Sequence, residues 1–440
     1  MSGNTISAPT LHVSALKAAV TLITLLAISS FGSVDAEEPI DVLCLGAVES
    51  QLAPYVGWLK IEPSLRGYYV PARFYDSGWA GEHTEEILRS VRMYFPRTYE
   101  SLSDFDFMIL DSPVVSSFGA NGIHWMRMAV EEGKTGATTM NSLLSKHRFC
   151  FQPFLLSELE GVFPNDGMRV VEYCGGLDAD KLSMKIGTPY EGPFHVRVNR
   201  EAPAVFTPFL SLGLESFVGG GGYLMFAKPG AFIWMWSVGN HRDIAPETPY
   251  LMSWDYGKGM AWSLSDNLRH GWWGWDMPAE THIVSENPYG LDILVNWIRY
   301  GTGREPIQEI LAYHALRASY GEYEDLRNMI YSVLDFVSSF GGRTETLEAR
   351  ILENDEVLKR SKEYYVGNEL WKAKEEVSLA VRGLEEITMD SMKVKDQTFF
   401  WIYLTQWLVV TSVSMVCGVF VWTLMVRRRM YREVGTTRAV

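Results

Sequence analysis

The stretch DNLRHGWWGWD, residues 266–276, sets His270 among Trp272, Trp273 and Trp275, with Asp266 and Asp276 at its two ends. An imidazole exchanges its proton near neutral pH, which suits a general base, and flat amphipathic indoles stack on a sugar or on another protein. A catalytic base needs two more groups: a nucleophile within hydrogen-bond reach and a partner that orients the ring. Proximity in sequence does not orient an imidazole, so neither aspartate fills the second role by position alone. The nucleophile candidates are Ser142 and Cys150, in GATTMNSLLSKHRFCFQPF (136–154). Neither is flanked by the glycines of a strained strand-to-helix elbow, and Cys150 stands between two phenylalanines, as a packed thiol does. No catalytic residue is therefore assigned. The ligand-binding candidates are His270, Trp272, Trp273 and Trp275, together with Asp111 and Ser112 at the end of DFDFMILDSP (104–113). The alternative for the indoles is packing on the domain's own core.

Other motifs are weighed the same way. Cys44 sits in an apolar strand-like run and Cys417 in a long uncharged segment, which leaves Cys150 and Cys174 free to form a disulfide that so few cysteines do not demand. No CxxC and no Cys/His spacing suits zinc, and neither a metal nor a cofactor is expected. The four glycines Gly219 to Gly222 in SFVGGGGYLMF are followed by Tyr223, Leu224 and Met225, not by the Lys and Ser/Thr of a phosphate cradle. They are read as a turn between strands. A net charge of -14 repels phosphate backbones and argues against nucleic acid as a partner, while 47% hydrophobic residues mark a folded chain.

These residues need elements to hold them. PIDVLCLGAVES and YYVPARFYDS (68–77) read as extended runs, HTEEILRSVRMYFPRTYESL (83–102) as a helix that ends or breaks at Pro96, and FDFMILD (105–111) as a buried strand. IHWMRMAVEEGKTGATTM (123–140) reads as helix, glycine turn and extended run. Strands alternating with helices at these intervals predict a mostly parallel sheet flanked by helices, with residues 150–250 as a β-rich insertion that includes FIWMWSVGN (232–240).

With FYD (74–76) and FDFMILD in those places, WDYGKGMAWSLSDNL (254–268) as a late hairpin and NPYGLDILVNWIRYGTGREP (287–306) as a closing helix, the chain resembles the class I glutamine amidotransferase-like superfamily over residues 39–304. The resemblance implies a flavodoxin-like α/β fold whose ligands meet the carboxyl edge of the sheet. It also implies a cysteine nucleophile in a glycine-flanked elbow with a histidine and a glutamate, and this chain has neither the G-x-C-x-G nor a late His-x-Glu, since Ile283 and Val284 separate His282 from Glu286.

Two apolar segments bear on location. AAVTLITLLAISSFGSVDA (18–36) follows Lys17 and ends in small residues, so residues 1–36 read as a signal peptide, with an uncleaved anchor or a buried helix as the alternative. FFWIYLTQWLVVTSVSMVCGVFVWTLMV (399–426) has no charge and exceeds the ~20 residues a spanning helix needs. Trp401, Tyr403, Trp407 and Trp422 lie toward its ends, and Arg427, Arg428, Arg429 and Arg432 follow it. By the positive-inside rule the tail, 427–440, is cytoplasmic and 37–304 is an extracytoplasmic α/β domain. Between that domain and the transmembrane helix (398–426), residues 305–397 show helical spacing and high charge, which predicts a helical stalk that packs as a bundle or self-associates. The expected partners are therefore the lipid bilayer and other proteins through the stalk. Three functions follow: a non-catalytic module that binds a ligand or assembles an envelope complex, a hydrolase of amides or glycans using Cys150 or Ser142 with His270, and a structural subunit of a membrane complex.

Overall fold

Runs that alternate their side chains between two covered faces build the centre of this protein. In β1 (Ile40–Gly46), Val42 and Cys44 enter one core and Leu43 and Leu45 the other, and all four are buried. β3 (Phe107–Asp111) and β4 (Thr135–Thr139) are buried at every position, as strands covered on both faces must be. The computed structural model describes residues 37–48, 54–73, 84–139, 157–169, 193–220, 224–239, 245–266, 268, 271–273 and 287–437.

Right after each of the first three parallel strands comes a helical crossover. β1 leads through α1 (Pro54–Ile61) to β2 (Leu65–Pro71), and β2 through α2 (Thr84–Tyr94) and α3 (Tyr99–Ser103) to β3. The helix expected over 83–102 thus divides on either side of Pro96, and Thr98 caps α3 by accepting from the Ser101 amide at 3.3 Å. β3 passes through α4 (Gly119–Glu132) to β4, with Gly133 at φ 127 ending the helix. The remaining strands are β5 (Pro193–Val198), β6 (Val218–Gly220), β7 (Phe232–Val238), β8 (Glu247–Tyr256) and β9 (Gly259–Leu264), with the short helix α5 (Glu158–Val162) preceding β5.

The nine strands among the described residues form one sheet, in the order β2-β1-β3-β4-β9-β8-β7-β5-β6. β2, β1, β3, β4 and β9 pair in parallel, whereas β8, β7, β5 and β6 extend the sheet antiparallel. The expectation of a mostly parallel sheet therefore holds for one half only. The hairpin β8–β9 is the reason: β9 returns to the parallel half beside β4, and β8 seeds an antiparallel extension on its other edge. That hairpin fits because Gly257, at φ +63, lies where a Cβ would come within 2.3 Å of the Glu131 carbonyl oxygen.

Two buried clusters cover the faces. α2 and α4 supply Ile87, Val91, Met126 and Val130 to one. α1 and α6 (Gly290–Gly301) supply Tyr55, Leu59, Ile293 and Trp297 to the other.

The chain divides into two compact units, Met1–Arg317 with Glu363–Leu370, and Ala318–Lys362 with Trp371–Val440. The second is helical, formed by most of α7 (Ile310–Ser339), α8 (Glu345–Val366) and α9 (Leu370–Thr437). Within it the buried positions advance by steps of three, four or seven, strictly alternating four and three along α9. They are Tyr320, Tyr323, Ile330, Leu334 and Val337 on α7, Leu347, Ile351, Leu358 and Ser361 on α8, and Ala373, Val377, Ala380, Leu384, Ile387 and Ser391 on α9. This is the spacing of helices packed side by side along a narrow seam. Polar side chains tie the seam together: Ser361 donates to the Ala373 carbonyl at 2.7 Å and Asn354 to that of Ala380 at 2.7 Å. α9 continues without interruption into the uncharged stretch, where every residue of its most apolar window is exposed. Among the described residues it is the one helix long and apolar enough to cross a membrane.

Candidate functional site at the carboxyl edge of the sheet

Strand order reverses direction between β1 and β3: β2 lies to one side of β1, and β4 and β9 lie beyond β3. At such a point the crossover helices leave to opposite faces and a crevice opens at the carboxyl ends. The residues there are Gly46, which ends β1, with Ala47 after it, and Asp111, which ends β3, with Ser112 after it, so the structure brings two of the sequence candidates to this place.

Close backbone contact joins the ends of β1 and β3. Gly46, at φ +129, is where a Cβ would stand 2.0 Å from the Asp111 carbonyl oxygen, and only glycine fits. The Ala47 amide donates to that same oxygen at 3.1 Å, and the Ala72 amide donates to the Gly46 carbonyl at 2.9 Å. Ser112 adopts φ 57, a left-handed conformation for a residue with a side chain. The Arg73 guanidinium donates to its carbonyl at 3.3 Å.

Asp111 and Ser112 are wholly buried. The Asp111 carboxylate accepts from the Thr139 hydroxyl at 3.1 Å and from the Ser112 hydroxyl at 3.5 Å. Cys44, on β1, is also buried, and burial pushes its thiol well up, reinforced by the Asp111 charge. A thiol held protonated in this way is a packing group, not a nucleophile. Ser265 and Asp266 follow β9 at the same edge, where Tyr250 donates to Asp266 at 3.4 Å and burial first, then the Asp266 charge, raise the Tyr250 hydroxyl well above its ordinary value. The described histidines, His124, His195 and His314, lie on α4, β5 and α7.

Trp272 and Trp273 belong to the core. They are 0% and 1% exposed, and packed edge to face at 5.4 Å. Trp273 stacks on Trp297, which meets Trp262, which meets Trp234 at 5.2 Å. Neither ring offers a face to a ligand; both contact their own domain. Apolar neighbours on β7, β8, β9 and α6 explain this packing. His270, Trp275, Ser142, Cys150 and Cys174 lie outside the described residues, as do Gly221 and Gly222 and most of the segments that follow β1, β2, β4 and β9 at the carboxyl edge.

A second constellation went unread in the sequence. Arg317 on α7, its side chain 2% exposed, donates to Glu62 and, at 2.5 Å, to Asp292 on α6, whose side chains are 0% and 1% exposed. Tyr365 on α8 donates to Glu62 at 2.8 Å, the Ser64 hydroxyl donates to the other Glu62 oxygen at 2.6 Å, and His314 meets the second Asp292 oxygen at 2.8 Å. Burial raises the Glu62 carboxyl, but the Arg317 charge and the hydrogen bonds from Ser64, Tyr365 and Arg317 outweigh it and hold it below its ordinary value. The four carboxylate oxygens of Glu62 and Asp292 each meet a hydrogen-bonding group, while Arg317 Nη2 is buried with no partner among the described residues. This is a structural clasp. Its sequence signals were Asp292 inside the apolar run GLDILVNWI and Arg317 beside the buried Leu316.

No family model matches the chain, and no curated protein does. Solved structures are similar at low identity. A cytoplasmic protein from Salmonella typhimurium, 13% identical, aligns over 60% of this chain and 99% of its own with a TM-score of 0.41. A ThuA-like protein from Bacteroides uniformis, 12% identical, aligns over 61% and 96% with a TM-score of 0.32. A β-galactosidase from Rahnella, 11% identical, aligns over 60% of this chain and 31% of its own, also with a TM-score of 0.32.

Proposed function

We propose that the chain is a single-pass membrane protein presenting a flavodoxin-like, amidotransferase-like domain outside the cell as a non-catalytic recognition module. The observation that carries the recognition role is the backbone geometry at the switch in strand order between β1 and β3. There Gly46 gives close backbone approach, and Ser112 is held in a left-handed conformation beside buried Asp111. Strain of ~1–3 kcal/mol persists where surrounding structure enforces it, and it concentrates at binding sites. The parallel order β2-β1-β3-β4-β9 has the 2-1-3-4-5 form of flavodoxin-like sheets, which bind ligands at this edge. Support for the membrane part is the uncharged stretch 399–426, exposed along α9 and followed by Arg427, Arg428 and Arg429. The module binds a ligand or a protein of an envelope complex. It does no acyl transfer.

Two measurements test this. Protease added to intact cells removes the α/β domain and leaves an epitope on the tail protected; the reverse pattern overturns the orientation. Purification in mild detergent with mass spectrometry then recovers a ligand or a partner whose retention falls when Asp111→Asn and Ser112→Ala are introduced together. Turnover of amide or glycoside substrates by the purified chain refutes the non-catalytic reading.

A further inference from the structure

The helical unit places an aromatic turn level with the start of the uncharged stretch. α7 ends at Ser339, and the chain reverses through Phe340, Gly341, at φ 79, and Gly342 into α8. Phe340 is 53% exposed, although α7's neighbouring residues Leu334 and Val337 are buried. Its ring packs on Phe336 at 4.9 Å, and Phe336 packs in turn on Phe399 of α9 at 5.2 Å. A Cβ on Gly342 would come within 3.1 Å of the Thr398 hydroxyl. The turn therefore lies beside Thr398 and Phe399, where the last charged residues, Lys395 and Asp396, give way to FFWIYLTQW. Phe400, Trp401 and Tyr403 are exposed at the same height.

From this geometry we infer that the α7–α8 turn is a second membrane contact, in which Phe340 inserts into the lipid interface beside the aromatic collar of α9. This inference rests on the reading of α9 as a membrane span. Residues 399–426 cover ~42 Å as a helix, more than the ~30 Å of hydrocarbon, so the first turns lie in the headgroup zone where aromatic rings concentrate. A phenyl ring carried at that level leaves water for lipid at no cost in backbone order, because Gly341 and Gly342 already form the turn. Exposed Arg343 follows it, suited to lipid phosphates. One helix alone is free to tilt and rotate about its axis. A second contact beside it fixes which face of the bundle looks along the membrane.

The test uses the full chain in vesicles of phosphatidylcholine and phosphatidylglycerol, with the photoreactive residue p-benzoylphenylalanine placed singly at position 340, 352 or 413. All three positions carry exposed side chains, so the fold tolerates each replacement. Position 413 reports the span, and position 352, on the outer face of α8, reports solvent. Lipid adducts at 413 and at 340, several-fold above those at 352, are expected. Adducts at 413 with none at 340 above the 352 level overturn the inference and leave the span standing. Absence of adducts at 413 refutes the span itself. Protein adducts in place of lipid at 340 also overturn the inference.

Discussion

Replacing Arg317 with methionine is the sharpest test of how the α/β unit is held together. The substitution keeps most of the side-chain volume while removing the guanidinium that faces two buried carboxylates, Glu62 and Asp292. Removing one partner of a buried pair leaves an uncompensated charge and costs ~3–5 kcal/mol. The pH dependence separates this from a packing defect. In the native protein the Glu62 carboxyl lies below its ordinary value of 4.5, so its contribution is full above that value and is lost as pH falls through the lower, folded one. In Arg317→Met the burial that raises Glu62 has lost its largest opponent. The variant is then penalised most at neutral pH, and protonation relieves it as pH falls. The measurement is urea unfolding of the full chain in mild detergent, followed by fluorescence of the buried tryptophans at pH 7 and near pH 4.5. A stability gap of several kcal/mol at pH 7 that narrows on acidification is expected. A gap under ~1 kcal/mol, or one equal at both pH values, refutes the assignment of Arg317 as the charge that makes the clasp stable. Arg317→Lys should fall between the two, since an ammonium cannot fork to both carboxylates.

Three further substitutions follow from the geometry. Gly46→Ala places a methyl 2.0 Å from the Asp111 carbonyl oxygen at φ +129, so thermal unfolding should show a loss of more than ~2 kcal/mol and any ligand retention should disappear with it. Trp273→Ala empties a site in a fully buried aromatic cluster and should cost ~3–5 kcal/mol in urea unfolding; a near-neutral effect would show that the ring is not part of the core. Leu384→Ala on the α9 seam should cost ~2–5 kcal/mol, read as faster amide exchange along residues 318–362 and 371–395 with the α/β unit unchanged.

The strands, the break at Pro96 and the hairpin were legible because they depend on local pattern. Apolar alternation in DVLCLG and the proline and glycine positions act within a few residues. What lay beyond reach depended on partners far away in the chain. Nothing near Glu62 marks it as buried, because its cation is 255 residues away, and a charge on an amphipathic helix reads as solvated. The antiparallel half of the sheet was hidden similarly: β9 reads as one arm of a hairpin, and its pairing with β4 depends on the whole topology. Trp272 and Trp273 show the limit from the other side. An aromatic-rich loop has the same composition on a binding surface as in a core, and only packing against Trp297 and Tyr250 decides between them.

Residue 397 shows how composition can mark a boundary that the backbone lacks. Charge stops at Asp396 and aromatic residues begin at Phe399, so a stalk and a span read as separate pieces. Yet α9 runs from Leu370 to Thr437 with no proline to break its hydrogen bonds. What changes at that point is the composition, not the helix. The heptad seam through Leu384, Ile387 and Ser391 is laid down on the same rigid rod that carries the exposed stretch, so the rotation of one fixes the rotation of the other. Among α9's helical residues only Gly383 and Gly418 lack a side chain before the basic end, and where a Cβ at Gly383 would meet Asn354 the helix is braced by the bundle. A bend is therefore easier near Gly418 than anywhere in the seam. A proline inserted near Thr398 would uncouple the two segments, because it removes one backbone hydrogen bond and kinks the rod at the level of the Phe340 turn.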